Sequence, residues 1–308
     1  MDLNVSLSIE DVFIVAKISS VFFVGTTVLS IFGNLMIIAV TIRSKQLHNP
    51  CNVLIAFQAF SDMILSSGHP LYLVIAYTET LIPFSECFYV QLLSFTGVNL
   101  STIFILLLGI DRVISVKFPA EYKTQNSISY ILAMSSIALV FSTAFNILAY
   151  FTRTEELTVC LVPEAYTGIA KNLAFGCDFA INVAVIGVYA YLSHIMKSAH
   201  RCPAFQKMIK SLRVIVACTV FGWFVTFLIP NTTMLLTSNK NVLLAADMVA
   251  GFFVCTHTGL PFFIYFANSS LYRSEFCKML PILQIYETRS KGVGPTTLVE
   301  STRISRKS

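Results

Sequence analysis

Residues 84–116 read FSECFYVQLLSFTGVNLSTIFILLLGIDRVISV, and from Cys87 to Ile110 they carry no charged side chain. A helix needs about 20 consecutive apolar residues to cross the hydrocarbon core of a bilayer, so this stretch spans one with residues to spare. Glu86 precedes it and the pair Asp111-Arg112 closes it. The same texture runs through most of the 308 residues: 56% are hydrophobic, 12% are charged, and the mean hydropathy is +0.75. A soluble domain carries about a quarter charged residues, so this composition marks a polytopic membrane protein. The loops between apolar runs are short and leave no room for a catalytic domain. A nucleic-acid reader is excluded for the same reason.

Six further apolar segments flank the first, giving seven in all: Ile18 to Ile42, Asn52 to Tyr77, Phe84 to Val116, Ile128 to Phe151, Tyr166 to Met196, Leu212 to Leu236, and Val242 to Ala267. The expected fold is an all-α membrane protein, a seven-transmembrane helix bundle. An odd number of crossings places the termini on opposite faces, and Lys and Arg concentrate in cytoplasmic loops. With the N-terminus outside, 17 of the 21 basic residues fall on the cytoplasmic side, leaving Lys17, Arg153, Lys171 and Lys240 outside. No basic residue precedes Lys17, so the first span is expected to act as its own insertion signal. Residues 1–17 form the outer tail, with a glycosylation sequon at Asn4-Val5-Ser6, and residues 18–267 form the bundle. Over 268–284, Leu271, Tyr272, Phe276, Met279, Leu280 and Leu283 recur at helical spacing, as in a short amphipathic eighth helix lying at the interface. Residues 285–308 are polar and are expected to be a disordered cytoplasmic tail.

Of eight cysteines, only Cys87 and Cys160 fall on the oxidising side, where a disulfide between them would pin the loop between the fourth and fifth spans over the outer mouth of the bundle. No His/Cys cluster has zinc spacing, and no metal or cofactor is implied. A carboxylate at mid-bilayer costs about 2.5 to 3.5 kcal/mol on insertion scales, so intramembrane acids mark function. Here they are Asp62, Asp111 beside Arg112, Asp178 and Asp247, the last close to the membrane edge.

At joint spacing these residues resemble the rhodopsin-like family of G-protein-coupled receptors. Gly33-Asn34, Leu54-Ile55-Ala56 leading to Asp62, Cys87 placed 25 residues before Arg112, Asp111-Arg112-Val113 followed by Pro119, Trp223, and Tyr265 with Tyr272-Arg273 carry the resemblance over nearly the whole chain. Within that family, KQLHNPCNVLIAFQAFSD at 45–62, Gly109 to Arg112, Gly222-Trp223 and Phe262 to Arg273 are most similar to the nematode serpentine chemoreceptors of the Srsx class. The resemblance implies a non-enzymatic, multi-pass plasma-membrane receptor of sensory neurons. It would activate a heterotrimeric G protein through Asp111, Arg112, Pro119 and Tyr265, with Arg112 paired to Asp111 at rest, and would contact membrane lipids throughout. Tyr189 or Tyr191 would steady the open state. Tail residues Thr296, Thr297, Ser301 and Thr302 would serve a receptor kinase and arrestin.

Asn34, Asp62, Ser101 and His257 then form an activation switch or ion site. Counted back from Tyr265, His257 stands where relatives carry a sodium ligand, and it is expected to face Asp62 as a carboxylate–imidazole pair. The ligand pocket would draw on Gln91, Ser94, Phe95, Val98, Asn99, Asp178, Asn182, Trp223, Thr226 and Phe227. Mostly apolar walls with few polar groups suit a small organic molecule or pheromone-like cue. Amine receptors of the family carry an aspartate where Ser94 stands, which disfavours a biogenic amine, and the seventh span has no lysine for a retinal Schiff base. Glu79, Glu86, Glu155, Glu156 and Glu164 keep a basic neuropeptide open as an alternative, and a ligand-gated channel or transporter is the competing class. Three family positions depart from pattern. The fourth span has no tryptophan, no proline follows Trp223 by two residues, and the seventh-span motif reads Leu260-Pro261-Phe262.

Overall fold

The computed structural model describes residues 6–198, 203–280 and 282–283. In chain order the elements are α1 (Ile9–Arg43), α2 (Pro50–Ser66), α3 (His69–Thr78), β1 (Ile82–Pro83), α4 (Phe84–Lys117), α5 (Pro119–Thr124), α6 (Ser127–Thr152), β2 (Leu157–Thr158), α7 (Gly168–Ser198), α8 (Pro203–Leu236), α9 (Lys240–Gly259), α10 (Pro261–Asn268) and α11 (Ser270–Met279). Six of these, α1, α4, α6, α7, α8 and α9, are long and apolar enough to cross a membrane. Large apolar side chains such as Val28, Val140, Phe221 and Leu235 are exposed on the outer faces of these helices, as a lipid-embedded bundle requires. The chain is thus an all-α, multi-pass membrane protein apart from one two-residue strand pair.

Segment boundaries differ from expectation where local chemistry intervenes. The first helix starts at Ile9 rather than Ile18, because Ser8 and Asp11 cap each other's backbone groups in a capping box. The expected second span is divided into α2 and α3 at Ser67-Gly68. Pro70 has no N–H and its ring collides with the carbonyl four residues back, so an unbroken helix cannot pass. The expected seventh span is likewise split at Leu260, with Pro261 at the first position of α10. Within the expected 268–284 helix, α11 begins at Ser270 behind the Ser269 cap and runs to Met279. It packs Phe276 and Tyr272 against Phe262 and Tyr265, at ring-centroid separations of 4.8 and 4.6 Å.

α4 is the axis of the bundle: 72% of its apolar window is buried inside the protein, against 17% for α6. It packs on α2, α6 and α7, while α1 packs on α2, α3 and α9. β1 pairs antiparallel with β2, Ile82 opposite Thr158, and the Cys87–Cys160 disulfide ties the same loop to the head of α4 with Cα atoms 5.4 Å apart. The loop is thereby drawn across the bundle end, burying Val159, Cys160 and Leu161. The sequon at Asn4 and the tail sites from Thr296 to Thr302 lie outside the described residues.

Candidate functional site

Three polar or hollow regions sit along α4. At its C-terminal end, Asp111 is fully buried and Arg112 is 4% exposed. Arg112 Nε donates to Asp111 Oδ2 at 2.8 Å, and a second guanidinium nitrogen pairs with the same oxygen. That second nitrogen also donates to the Tyr122 hydroxyl at 3.0 Å, which in turn donates to Asp111 Oδ1 at 2.8 Å. Burial holds the Tyr122 phenol far above its ordinary pKa despite the guanidinium beside it, so it remains a donor. The result is a closed ring of charge-assisted hydrogen bonds, with Tyr122 delivered by the six-residue helix α5. Pro119 is exposed at the first position of α5 and starts that helix. Tyr265 is buried and stacked on Tyr272. Of the two fifth-span tyrosines left open by the sequence, Tyr189 points inward, its ring lying where a side chain on Gly109 would stand, and its hydroxyl has no hydrogen-bond partner among the described residues. Tyr191 is 43% exposed.

Mid-bundle, Asp62 Oδ1 accepts from Ser101 Oγ at 2.7 Å and from Gln58 Nε2 at 3.0 Å. Gln58 also donates to Ser101, and Asn34 donates to Ser30 Oγ and the Thr258 carbonyl, each at 3.1 Å. Asn34, Gln58, Asp62, His257, Tyr189 and Tyr265 line one cavity of about 20 Å³, room for a single water or small ion. The direct Asp62–His257 pair is not formed. Gln58, one turn before the acid on α2, and Ser101, facing it from α4, occupy its oxygen, and the polar neighbour of His257 is the Val254 backbone. His257 lies instead 6.2 Å from the Trp223 ring.

At the disulfide end, Phe95, Val98, Tyr166, Asp178, Trp223 and Asp247 line a cavity of about 80 Å³ roofed by Leu161, Val162 and Pro163 of the pinned loop. Gln91, Ser94 and Asn99 are not in its wall. Gln91 Nε2 holds the Cys160 carbonyl at 3.2 Å, Ser94 contacts the Ser67 hydroxyl at 3.3 Å, and Asn99 Oδ1 accepts from the Tyr166 hydroxyl at 3.0 Å. All three are inward-facing as expected, but their polar groups brace the loop and the α2–α3 break instead of facing a ligand. Asn182 and Phe227 line a neighbouring cavity between α7 and α8 that shares Asp178, Trp223 and Thr226 with the first.

Lys171, which the sequence offers as a partner for Asp178 seven residues further along the same face, is paired elsewhere. Lys171 Nζ bridges Glu164 Oε1 at 2.8 Å and Asp247 Oδ2 at 3.3 Å, joining the roof, α7 and α9. His69 and Cys255 also face the cavity. The Thr27 hydroxyl donates to the Phe23 carbonyl at 2.8 Å, so at 2.8 Å from His69 Nδ1 it acts as acceptor, leaving Nε2 to accept from the Cys255 thiol at 3.5 Å.

A profile of the family described as serpentine type 7TM GPCR chemoreceptor Srsx matches residues 27–280. Among curated proteins, the chain is 27% identical to olfactory receptor 5P4 of Mus musculus over 62% of its own length and 60% of that protein's. It is 26% identical to trace amine-associated receptor 9 of Homo sapiens over 56% of its length and 53% of that protein's. Similarity to mouse trace amine-associated receptor 3 is higher, at 36%, over 39% of this chain and 35% of the relative. The matched region therefore spans 60% or less of each of these relatives. With a profile match running from the middle of α1 to the end of α11, the chain belongs to the Srsx family of serpentine chemoreceptors.

Proposed function

We propose that the protein is a G-protein-coupled chemosensory receptor that binds a small organic molecule beneath the disulfide-pinned loop and activates a heterotrimeric G protein at the Arg112 end. In this reading α2 with α3, and α9 with α10, each make one crossing. The chain then passes the membrane seven times, with the N-terminus and the disulfide outside and Arg112 at the cytoplasmic face. The plasma membrane of a sensory neuron is its proposed place, with a receptor kinase and arrestin acting on the tail.

The observation that carries this is the layout of α4, which has a roofed apolar cavity beside its outer half and a closed Arg112–Asp111–Tyr122 ring at its other end. Such a ring is a two-state element: the guanidinium exchanges its acidic partner for another acceptor when a neighbouring helix moves. The roof favours a small molecule over a neuropeptide. Part of the acidic rim is also already engaged, with Glu79 on Lys17, Glu156 on Lys240 and Glu164 on Lys171. Similarity to proteins named olfactory and trace amine-associated receptors supports the same choice.

The test applies a small-molecule and peptide panel to cells expressing the wild type or Arg112→Ala, recording second messengers and membrane current together. A ligand-evoked second-messenger response that vanishes in Arg112→Ala at equal surface expression is expected. A current that survives both Arg112→Ala and G-protein blockade would identify a channel instead.

Asn34, Asp62, Ser101 and His257 act in this reading as the switch or ion site between the two ends, supported by the single-particle cavity that three of them line and by Ser101's bond to Asp62. Asp62→Asn and His257→Ala are each expected to change how agonist affinity responds to sodium or to pH. Affinity whose sodium and pH dependence match wild type in both variants would remove the role.

A further inference from the structure

We propose that the ligand carries an organic cation, an ammonium on an apolar body, and that Asp178 is its counter-ion. This inference rests on the receptor reading above and names the ligand class of that same cavity.

Asp178 is 8% exposed, and that exposure opens onto the two cavities it lines. Its side chain takes part in no ion pair among the described residues, and Asn182 donates to its backbone carbonyl at 2.8 Å, so the carboxylate has a hydroxyl but no cation beside it. Thr102, whose hydroxyl makes no other bond, is the polar neighbour behind it. A buried carboxylate without a cation is costly, and an ammonium seated beside it offsets that cost.

The cavity shows how the protein treats its other acids. Asp247 and Asp178 line the cavity and Glu164 follows its roof residues in the same loop, and one ammonium, Lys171, serves Glu164 and Asp247. The third is left for a cation brought from outside. Phe95, Tyr166, Phe175 and Trp223 are among the cavity's other walls, and aromatic faces attract ammonium groups while accepting an apolar body.

The probes are benzylamine and benzyltrimethylammonium, with benzyl alcohol as the uncharged match, titrated against purified receptor in lipid nanodiscs by thermal shift and calorimetry. Wild-type receptor is expected to bind both cations and to bind benzyl alcohol about tenfold to a hundredfold more weakly. Asp178→Asn should bring the amines down to the level of the alcohol, and Asp178→Glu should restore part of the difference. Equal affinity of wild type for benzylamine and benzyl alcohol would overturn the proposal without needing any variant. So would amine binding that is unchanged in folded Asp178→Asn, or a folded wild type that binds neither cation.

The two readings fail separately. A neutral compound that evokes Arg112-dependent signalling in a receptor that ignores amines leaves the receptor and removes the cation. Amine binding without Arg112-dependent signalling does the reverse.

Discussion

Gly97→Val is expected to abolish folded protein at the cell surface, with most of the chain retained as misfolded material. A Cβ on Gly97 would stand 2.3 Å from the Leu65 backbone nitrogen, 2.7 Å from Leu65 Cα and 2.9 Å from the Ile64 carbonyl carbon. These are backbone atoms of α2, so no rotamer change relieves the clash and the two helices must separate. Small residues at such crossings are what allow membrane helices to approach closely. Overpacking a core costs about 1–3 kcal/mol where side chains can yield, and occasionally more; a backbone clash at the bundle axis belongs at the upper end. α2 also carries Gln58 and Asp62, so separation would open the mid-bundle network. Gly25→Ala and Gly187→Ala, where an added Cβ meets nothing within 4 Å, should express like wild type. Surface labelling and a thermal unfolding scan in detergent provide the readout. A Gly97→Val receptor with wild-type melting behaviour would mean that α2 and α4 do not approach as described.

Asp111→Asn is expected to raise ligand-independent signalling strongly, and Tyr122→Phe to raise it less. Breaking a buried pair by removing one partner costs about 3–5 kcal/mol, because the remaining charge is left uncompensated. Here the remaining charge is Arg112, 4% exposed and, among the described residues, held by its side chain only within the ring. The cost falls on the closed state, whereas an open state with Arg112 turned to a new acceptor is spared it. Since about 5.5 kcal/mol moves an equilibrium from 1:99 to 99:1, a loss of this size takes a resting receptor most of the way to the active population. Tyr122→Phe removes one bond to each charge but leaves the direct ion pair, and hydrogen bonds to charged groups contribute about 1.5–3 kcal/mol each. Basal second-messenger level per surface receptor should therefore rank Asp111→Asn above Tyr122→Phe above wild type. Equal basal levels in all three would show that the ring does not hold the resting state.

What the sequence made legible was what repeats locally or is limited by compartment. Apolar runs located the six membrane-length helices, and the pairing expected of Cys87 and Cys160 is the disulfide seen in the structure. Asp111-Arg112 was readable because its two members are adjacent. Their third partner was not: Tyr122 lies on a helix too short to show a period, and the seal it makes is a tertiary fact. The pocket was half legible for a related reason. Helical register correctly turned Gln91, Ser94 and Asn99 inward, yet what they meet is the loop from Cys160 to Tyr166, whose path depends on the disulfide and the strand pair. Asp247 looked like an edge residue because its partner Lys171 is 76 positions away. The breaks at Gly68 and Leu260 were written in Pro70 and Pro261, but each sits inside an apolar run that hydropathy alone reads as continuous.

The central claim is that Arg112, released from Asp111, drives nucleotide exchange on a Gα subunit. The most direct measurement is guanine-nucleotide uptake by purified heterotrimer in the presence of reconstituted wild type, Asp111→Asn, Arg112→Ala and the double variant. Low basal uptake by wild type, high uptake by Asp111→Asn, and none by either protein lacking Arg112 is the predicted result. Uptake that persists at the Asp111→Asn level in the double variant would contradict it.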